Sequence, residues 1–443
     1  MLWQERDDDE GCNDVGNSDY DIGPRDVWPR GTFRTGRPFV CHEYLNLCVK
    51  QDTRLEPLYT GAWTAPDSRA DRLAWLAARG LDAAWGDALQ DAQHALQGIY
   101  QKRGLEWARK DPYCDGYCFW TAVDVVVANG RIHSAQGLFD PFWQTKKGGL
   151  SPEKFALFNG TSAMLADFAP ECPVAEVGDE RKATFLFANY DGAVKRNAIV
   201  RWSLSSGGET LLEGEETVVE IPEGNARTVA TATFRMPPVA KALKAVFRAE
   251  IDGTANEWDF WIFPKRAKRG GSDMAADSAF LPMLAKLYDG VADAASADAS
   301  KARIVVVPHG DGKAEAAALA RGQRVLAVSG WNGKPNVSLG WWSMGNQVGT
   351  ALSRESTVLS RLPHEGVMTP LLFRIVKEGA QPLSAGGADL AVPIIVGEGR
   401  KDCYLYLGEA KDGRHIGSFG LDILSGTPEG TSILDGIIDE LRR

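Results

Sequence analysis

The sequence predicts a multidomain protein of mixed class, with α/β segments at both ends and an all-β segment between them. Three observations carry this expectation. Residues 37–170 alternate strand-like apolar runs with long helical patterns, and residues 171–264 switch to short alternating runs separated by turn signals. Residues 272–443 then return to α/β alternation. At 443 residues the chain is long enough to build several independent cores.

Composition narrows the partners. The chain is 44% hydrophobic and 24% charged, ordinary for a globular protein. Its formal net charge of −10 argues against nucleic acid as a partner. The one basic run, KRAKRGG at 265–271, is short and ends in glycine, and it reads as a linker. No apolar stretch of about 18 residues exists, so no membrane span is expected. Residues 1–36 form an acidic, Gly- and Asp-rich tract without the apolar core of a signal peptide, and they are expected to be irregular. Nothing there assigns a compartment. The seven cysteines are Cys12, Cys41, Cys48, Cys114, Cys118, Cys172 and Cys403. None forms a CxxC pair, so neither a zinc site nor a disulfide framework is expected.

The first segment opens with RPFVCHEY, an apolar strand that runs directly into His42, Glu43 and Tyr44. A helical tract from Asp67 to Lys110 follows, with Leu89, Ala92, Leu96, Ile99 and Arg103 spaced as one helix face. DGYCFWTAVDVV (115–126) reads as the next strand. After the loop GLFDPFWQTKKG, the run LSPEKFALFNGTSAMLADF (150–168) opens a helix, with Ser151 able to cap and Pro152 in the first position. Strand, helix, strand, helix is the order that builds parallel sheets.

Parallel β/α folds gather functional side chains at the C-terminal ends of their strands. His42, Glu43 and Tyr44 end the first strand, and Trp120 and Asp124 end the second. Two carboxylates flanking an aromatic face suit a sugar site: the ring stacks on Trp while carboxylates act as nucleophile, acid or hydroxyl acceptor. The bland alternatives are a rim glutamate, a core tryptophan, a packed histidine and a loop-capping aspartate.

In order and character these motifs resemble the last quarter of the catalytic barrel in glycoside hydrolase family 2, the group of β-galactosidases, β-glucuronidases and β-mannosidases. RPFVCHEY resembles barrel strand seven and GYCFWTAVDVV strand eight, while GLFDPFWQTKKGGLSPEKFALFN resembles the lead into helix eight. The resemblance implies a partial (β/α)8 barrel, its last two β/α units, with Glu43 as the catalytic nucleophile of a retaining β-glycosidase and Trp120 in the glycone platform. His42, Tyr44 and Asp124 fall beside them as candidate substrate-binding residues. The carbohydrate substrate is the implied partner, and the mechanism requires no cofactor or metal. The sequence also departs from the family. No Asn-Glu pair precedes Glu43 to serve as acid/base; the only one, Asn256-Glu257, lies in the all-β segment. Two strands are far short of eight. The chain therefore reads as the C-terminal portion of a longer enzyme and is expected to be nearly inactive alone.

Residues 171–264 supply the strand-like runs ATFLFANY, NAIVRWSL, ETVVEI, RTVATATFRM, KAVFRAEID and NEWDFWIF. They read as an immunoglobulin-like β-sandwich, with Trp202, Trp258 and Trp261 expected in its core. Residues 272–443 read as a doubly wound, flavodoxin-like layer structure: helix-like SAFLPMLAKLYDGV, strand ARIVVVP, helix-like KAEAAALARG, strands QRVLAVS, VPIIVGE and CYLYLGEA, and a final helix in TSILDGIIDELRR. This segment resembles the glutamine-amidotransferase-like domains appended to some large bacterial glycosidases. It is expected to be non-catalytic, because the elbow position reads AVSGWNGK without a cysteine and Cys403 lies inside a strand. Trp341, Trp342 and Asn346 are expected to form an interdomain patch rather than a sugar surface. A non-catalytic carbohydrate-binding or scaffold protein is the alternative to the glycosidase. An esterase or amidase using the C-terminal segment would need the nucleophile elbow that is missing.

Overall fold

The computed structural model describes residues 40–45, 48–60, 69–112, 114–126, 133–335, 349–383, 390–398 and 403–443. The tract 1–36 and the candidates Trp341, Trp342 and Asn346 lie outside these residues. The described chain is a mixed α/β protein with many strands and few helices.

Strands β1 (Val40–Tyr44) and β2 (Gly116–Phe119) pair in parallel, with Val40 opposite Gly116 and Tyr44 opposite Phe119. The expected strand over 115–126 breaks after Phe119. Its remainder forms a two-residue strand β3 (Val125–Val126), paired antiparallel with β4 (His133–Ser134). Between β1 and β2 the helical tract is two helices, α1 (Arg69–Ala77) and the 28-residue α2 (Ala83–Lys110). Gly80, at φ +70°, turns the chain between them. Asp82 then caps α2 by accepting from Trp85 N at 3.0 Å.

Ser151 caps α3 (Pro152–Asn159), and Pro152 opens it. The helix ends there, however, and Ser162–Ala169 forms strand β5, paired with β7 (Glu180–Asn189) along its whole length. Helix-forming Ala, Met and Leu are overridden by pairing and burial, and the all-β unit starts before residue 171.

That unit continues with β6 (Val174–Glu176), β8 (Lys195–Ser206), β9 (Glu209–Ile221), β10 (Gly224–Arg235), β11 (Leu243–Ile251) and β12 (Thr254–Phe263). One sheet has the order β10-β7-β5 and the other β6-β12-β11-β8-β9. They enclose a common core of Phe185, Phe187, Trp202, Phe234, Phe247 and Phe260. Trp261 is fully buried, packing into the larger core toward the C-terminal segment. Trp258 is half-buried and reaches α2, where its Nε1 donates to Glu106 Oε2 at 3.3 Å.

The last segment carries β13 (Arg269–Gly270), β14 (Met274–Ala276), β15 (Tyr288–Asp289), β16 (Ala292–Asp293), β17 (Ile304–Pro308), β18 (Arg324–Ser329), β19 (Gly349–Leu352), β20 (Gln381–Pro382), β21 (Val392–Glu398), β22 (Cys403–Glu409) and β23 (His415–Phe419). The order β16-β14-β17-β18-β23 is parallel throughout. Counted along the chain, those five strands stand 2-1-3-4-5, a doubly wound order. An antiparallel extension, β22-β21-β19, continues the sheet. Helices α4 (Leu281–Leu287), α5 (Gly312–Ala320) and α6 (Pro428–Arg442) flank it. The helix expected through Val291 stops at Leu287, because Tyr288 pairs with Arg269 and its hydroxyl donates to Asp435 on α6.

Helix α2 ties the units together. Gly349 lies so close to it that a Cβ would stand 2.7 Å from Gln93 N. Glu398 is wholly buried and accepts from Lys50 Nζ at 2.6 Å, from Arg72 at 3.0 and 2.9 Å, and from Gln93 Nε2 at 3.0 Å. On the side of the two-sheet unit, Asn256 Nδ2 donates to Glu106 Oε1 at 2.7 Å.

Candidate functional site

The two strand ends that hold the sequence candidates adjoin. Trp120 N donates to Tyr44 O at 2.9 Å, so β1 and β2 finish level with each other. His42 and Glu43 belong to β1, and their side chains lie outside what the structure describes. Tyr44 is a correction to the sugar-binding expectation. It is wholly buried, its hydroxyl donates to Gly104 O at 2.8 Å, and its ring packs on Tyr117. Facing helix α2, it has no surface to offer a ligand. Trp120 is half-buried at the end of β2, and its Nε1 donates to Gln136 Oε1 at 2.8 Å.

Asp124 lies four residues beyond Trp120, in a cleft of about 290 Å³ lined by Asp52, Arg54, His94, Asp124, Asp140 and Lys146, among others. The chain 135–140 runs parallel beside 121–124: Leu138 N donates to Thr121 O, Phe139 N to Ala122 O and Asp124 N to Phe139 O. Gly137 makes this approach possible, since a Cβ there would sit 2.4 Å from Asp124 N. Its own N–H donates to Asp124 Oδ1 at 2.7 Å. Lys146 Nζ stands 2.7 Å from the same oxygen. Burial pushes the Asp124 carboxyl up to about 6, against the pull of Lys146 and the Gly137 N–H. Burial also lowers the Lys146 ammonium, against the attraction of Asp124.

Three further groups stand around Asp124 and Lys146. His94, buried on α2, has Nδ1 at 2.9 Å from Lys147 O and Nε2 at 3.0 Å from the Gln90 amide nitrogen. A carbonyl only accepts, so Nδ1 carries the proton and Nε2 accepts, which makes the ring neutral. Burial, with Lys146 nearby, lowers its pKa to about 4 in accord with that geometry. Asp140 Oδ1 accepts from Phe142 N at 2.8 Å and Gln144 N at 2.9 Å, fixing the loop 140–144 as an Asx turn. The Tyr59 hydroxyl is buried with no hydrogen-bond partner among the described residues, and its pKa is raised first by burial and then by the charges of Asp124 and Asp140.

Of the sequence candidates, Trp120 stands at the end of β2 and Asp124 lines the cleft beyond it, while Tyr44 is buried against helix α2. Lys146, His94, Asp140 and Tyr59 were not anticipated. The loop GLFDPFWQTKKG held two of them, and its Asp-Pro-Phe turn signal was the one cue to Asp140. Among the described residues, no group of three or more His, Cys, Asp or Glu side chains is arranged to hold a metal ion. No described helix is long and apolar enough to cross a membrane. A second cleft, about 350 Å³, lies at the C-terminal edge of the parallel sheet between Met283, Lys286, Trp331, Asp422 and Ser425.

Residues 179–264 match a family described as "Domain of unknown function (DUF8488)", which spans strands β7 to β12. No curated protein matches the chain. Among solved structures, it is similar to the Pseudomonas fluorescens alkylpurine DNA glycosylase AlkC bound to DNA containing an abasic site analog. Identity there is 10%, over 25% of this chain and 33% of that one, with a TM-score of 0.19. It is also similar to a Bacteroides uniformis β-glucuronidase at 13% identity, over 41% of this chain and 20% of that one, with a TM-score of 0.17. The chain thus spans about a third and a fifth of these two proteins. Likenesses this distant leave the functional reading to the site itself.

Proposed function

We propose that this chain is the C-terminal part of a retaining β-glycosidase of the family 2 type, with Glu43 as its nucleophile. The observation that carries the reading is the parallel pairing of β1 and β2, whose ends are joined by the 2.9 Å bond from Trp120 N to Tyr44 O. Glu43 and Trp120 thus belong to adjoining C-terminal ends of parallel strands, the edge at which β/α folds assemble their sites. In this role the Glu43 carboxylate attacks the anomeric carbon and the aglycone departs with the bonding electrons. Water then hydrolyses the glycosyl ester with net retention. Trp120, oriented by Gln136, supplies an aromatic wall for the glycone, and His42 a hydrogen bond to the sugar or to Glu43. Asp124 borders the site from the neighbouring cleft.

The two-sheet unit supports an immunoglobulin-like reading of the middle segment, and the 2-1-3-4-5 order supports a flavodoxin-like reading of the last. Trp331 and Asn332 occupy the elbow position, with no cysteine among their neighbours in sequence, which supports a non-catalytic role there.

No Asn-Glu pair ahead of Glu43 provides an acid/base carboxylate, so glycosides with poor leaving groups are expected to be cleaved slowly or not at all. Dinitrophenyl β-glycosides need no proton on departure and isolate the nucleophile's contribution. Release from a panel of these is expected to fall by about a thousandfold or more in Glu43→Gln. Equal release by the variant removes Glu43 from the mechanism. Saccharide binding that survives Glu43→Gln, with no turnover of any activated substrate, favours the non-catalytic carbohydrate-binding alternative.

A further inference from the structure

Trp143 is 71% exposed and adopts a left-handed backbone at φ +61°. A bulky residue rarely takes that conformation, and a tryptophan is seldom left in water. Both costs fall on one side chain, and the surroundings hold it there. Its N–H donates to Asp140 O at 3.0 Å, while Asp140 Oδ1 fixes the turn through Phe142 N and Gln144 N. One face of the indole stacks on Phe139, with centroids 6.4 Å apart and planes at 30°. Phe142, its other neighbour in the turn, packs edge-on against Tyr59 with ring centroids 4.9 Å apart. Asp140 and Gln144, on either side of Trp143 in the turn, both line that cleft. Strain of this kind, held by several independent contacts, is characteristic of ligand sites.

We propose that Trp143, with Asp140 and Gln144 at its base, forms a second saccharide subsite that stacks one pyranose ring of an extended glycan, apart from the strand-end site. The chemistry fits a sugar on both counts. An exposed indole offers a flat apolar surface to the C–H face of a pyranose. The cleft beside it is lined by Asp140, Gln144 and Lys147, whose carboxylate, amide and ammonium groups match hydroxyl groups around a ring edge. This inference rests on the carbohydrate reading of the chain, but not on Glu43 being a nucleophile.

The test is calorimetric titration of the full chain with β-linked tetra- to hexasaccharides of glucose, xylose, mannose and galactose. Trp143→Gly removes the ring and suits the left-handed backbone, so the turn is retained. At least one saccharide is expected to bind, with affinity about tenfold weaker in Trp143→Gly and partly restored in Trp143→Phe. Quenching or shifting of tryptophan fluorescence on binding is expected in wild type and diminished in Trp143→Phe. Undiminished affinity in Trp143→Gly, or no binding by the wild-type chain, overturns the subsite. Because neither result reads the chemistry of Glu43, the glycosidase reading stands or falls separately.

Discussion

Lys146 Nζ stands 2.7 Å from Asp124 Oδ1, with the two side chains only 3% and 10% exposed. A pair so far out of water recovers through mutual attraction only part of what each ion loses in hydration, and it is fragile to loss of either member. Lys146→Met is expected to destabilise the fold by about 3–5 kcal/mol, because Asp124 is left buried without its cation. Adding Asp124→Asn is expected to recover much of that loss. Denaturant titrations of the two single variants and the double form a cycle that reads the coupling. Simple additivity would show that the two groups do not act as a pair.

The same cleft predicts opposing pH effects. Asp124 titrates at about 6 in the fold, above its ordinary 3.8, so its contribution is fully present below 3.8 and is lost as pH rises through 6. His94 is lowered from 6.5 to about 4, so its contribution is present above 6.5 and is lost as pH falls through 4. Across this window the two slopes partly cancel. Asp124→Asn is expected to leave a stability that climbs with pH more steeply than wild type, and His94→Gln one that declines. Unfolding midpoints measured at a series of pH values check both; a flatter profile in Asp124→Asn contradicts the assignment.

Glu398 offers a structural counterpart. Its buried carboxylate receives Lys50, Arg72 and Gln93 from the first segment. Glu398→Gln leaves those cations without their anion, and a loss of about 3–5 kcal/mol is expected in equilibrium unfolding. A change within about 0.5 kcal/mol would mean that water replaces the carboxylate at no cost.

Tyr44 separates packing from binding. Tyr44→Phe deletes the hydroxyl that donates to Gly104 O, and about 1 kcal/mol of stability is expected to go with it. Saccharide affinity is expected to be unchanged. A tenfold loss of binding at unaltered stability would return Tyr44 to the sugar site.

How much of this was legible in the sequence depended on periodicity. Strands β7 to β12 were legible because their faces alternate: in β7, Arg181, Ala183, Phe185 and Phe187 are buried, with more exposed residues between them. Strand β5 was not, because SAMLADFA carries the helix-forming residues of the run before it and only pairing with β7 decides its state. Strand β23 is buried at every position, so HIGSF has no alternation to read. The strand ends bearing Glu43 and Trp120 were legible as motifs. The cleft was not, because Asp52 and Arg54, His94 on α2, and the turn Asp140–Lys147 come from separate stretches that meet only in the fold.

The most direct test is covalent capture of the nucleophile. Incubation of the intact protein with activated 2-deoxy-2-fluoro-β-glycosides, followed by mass spectrometry of its peptides, would trap the glycosyl ester wherever it forms. The expected result is a single fluoroglycosyl adduct on the peptide carrying Glu43, absent from Glu43→Gln. An adduct on another carboxylate, or full labelling that persists in Glu43→Gln, would contradict the role proposed for this strand end.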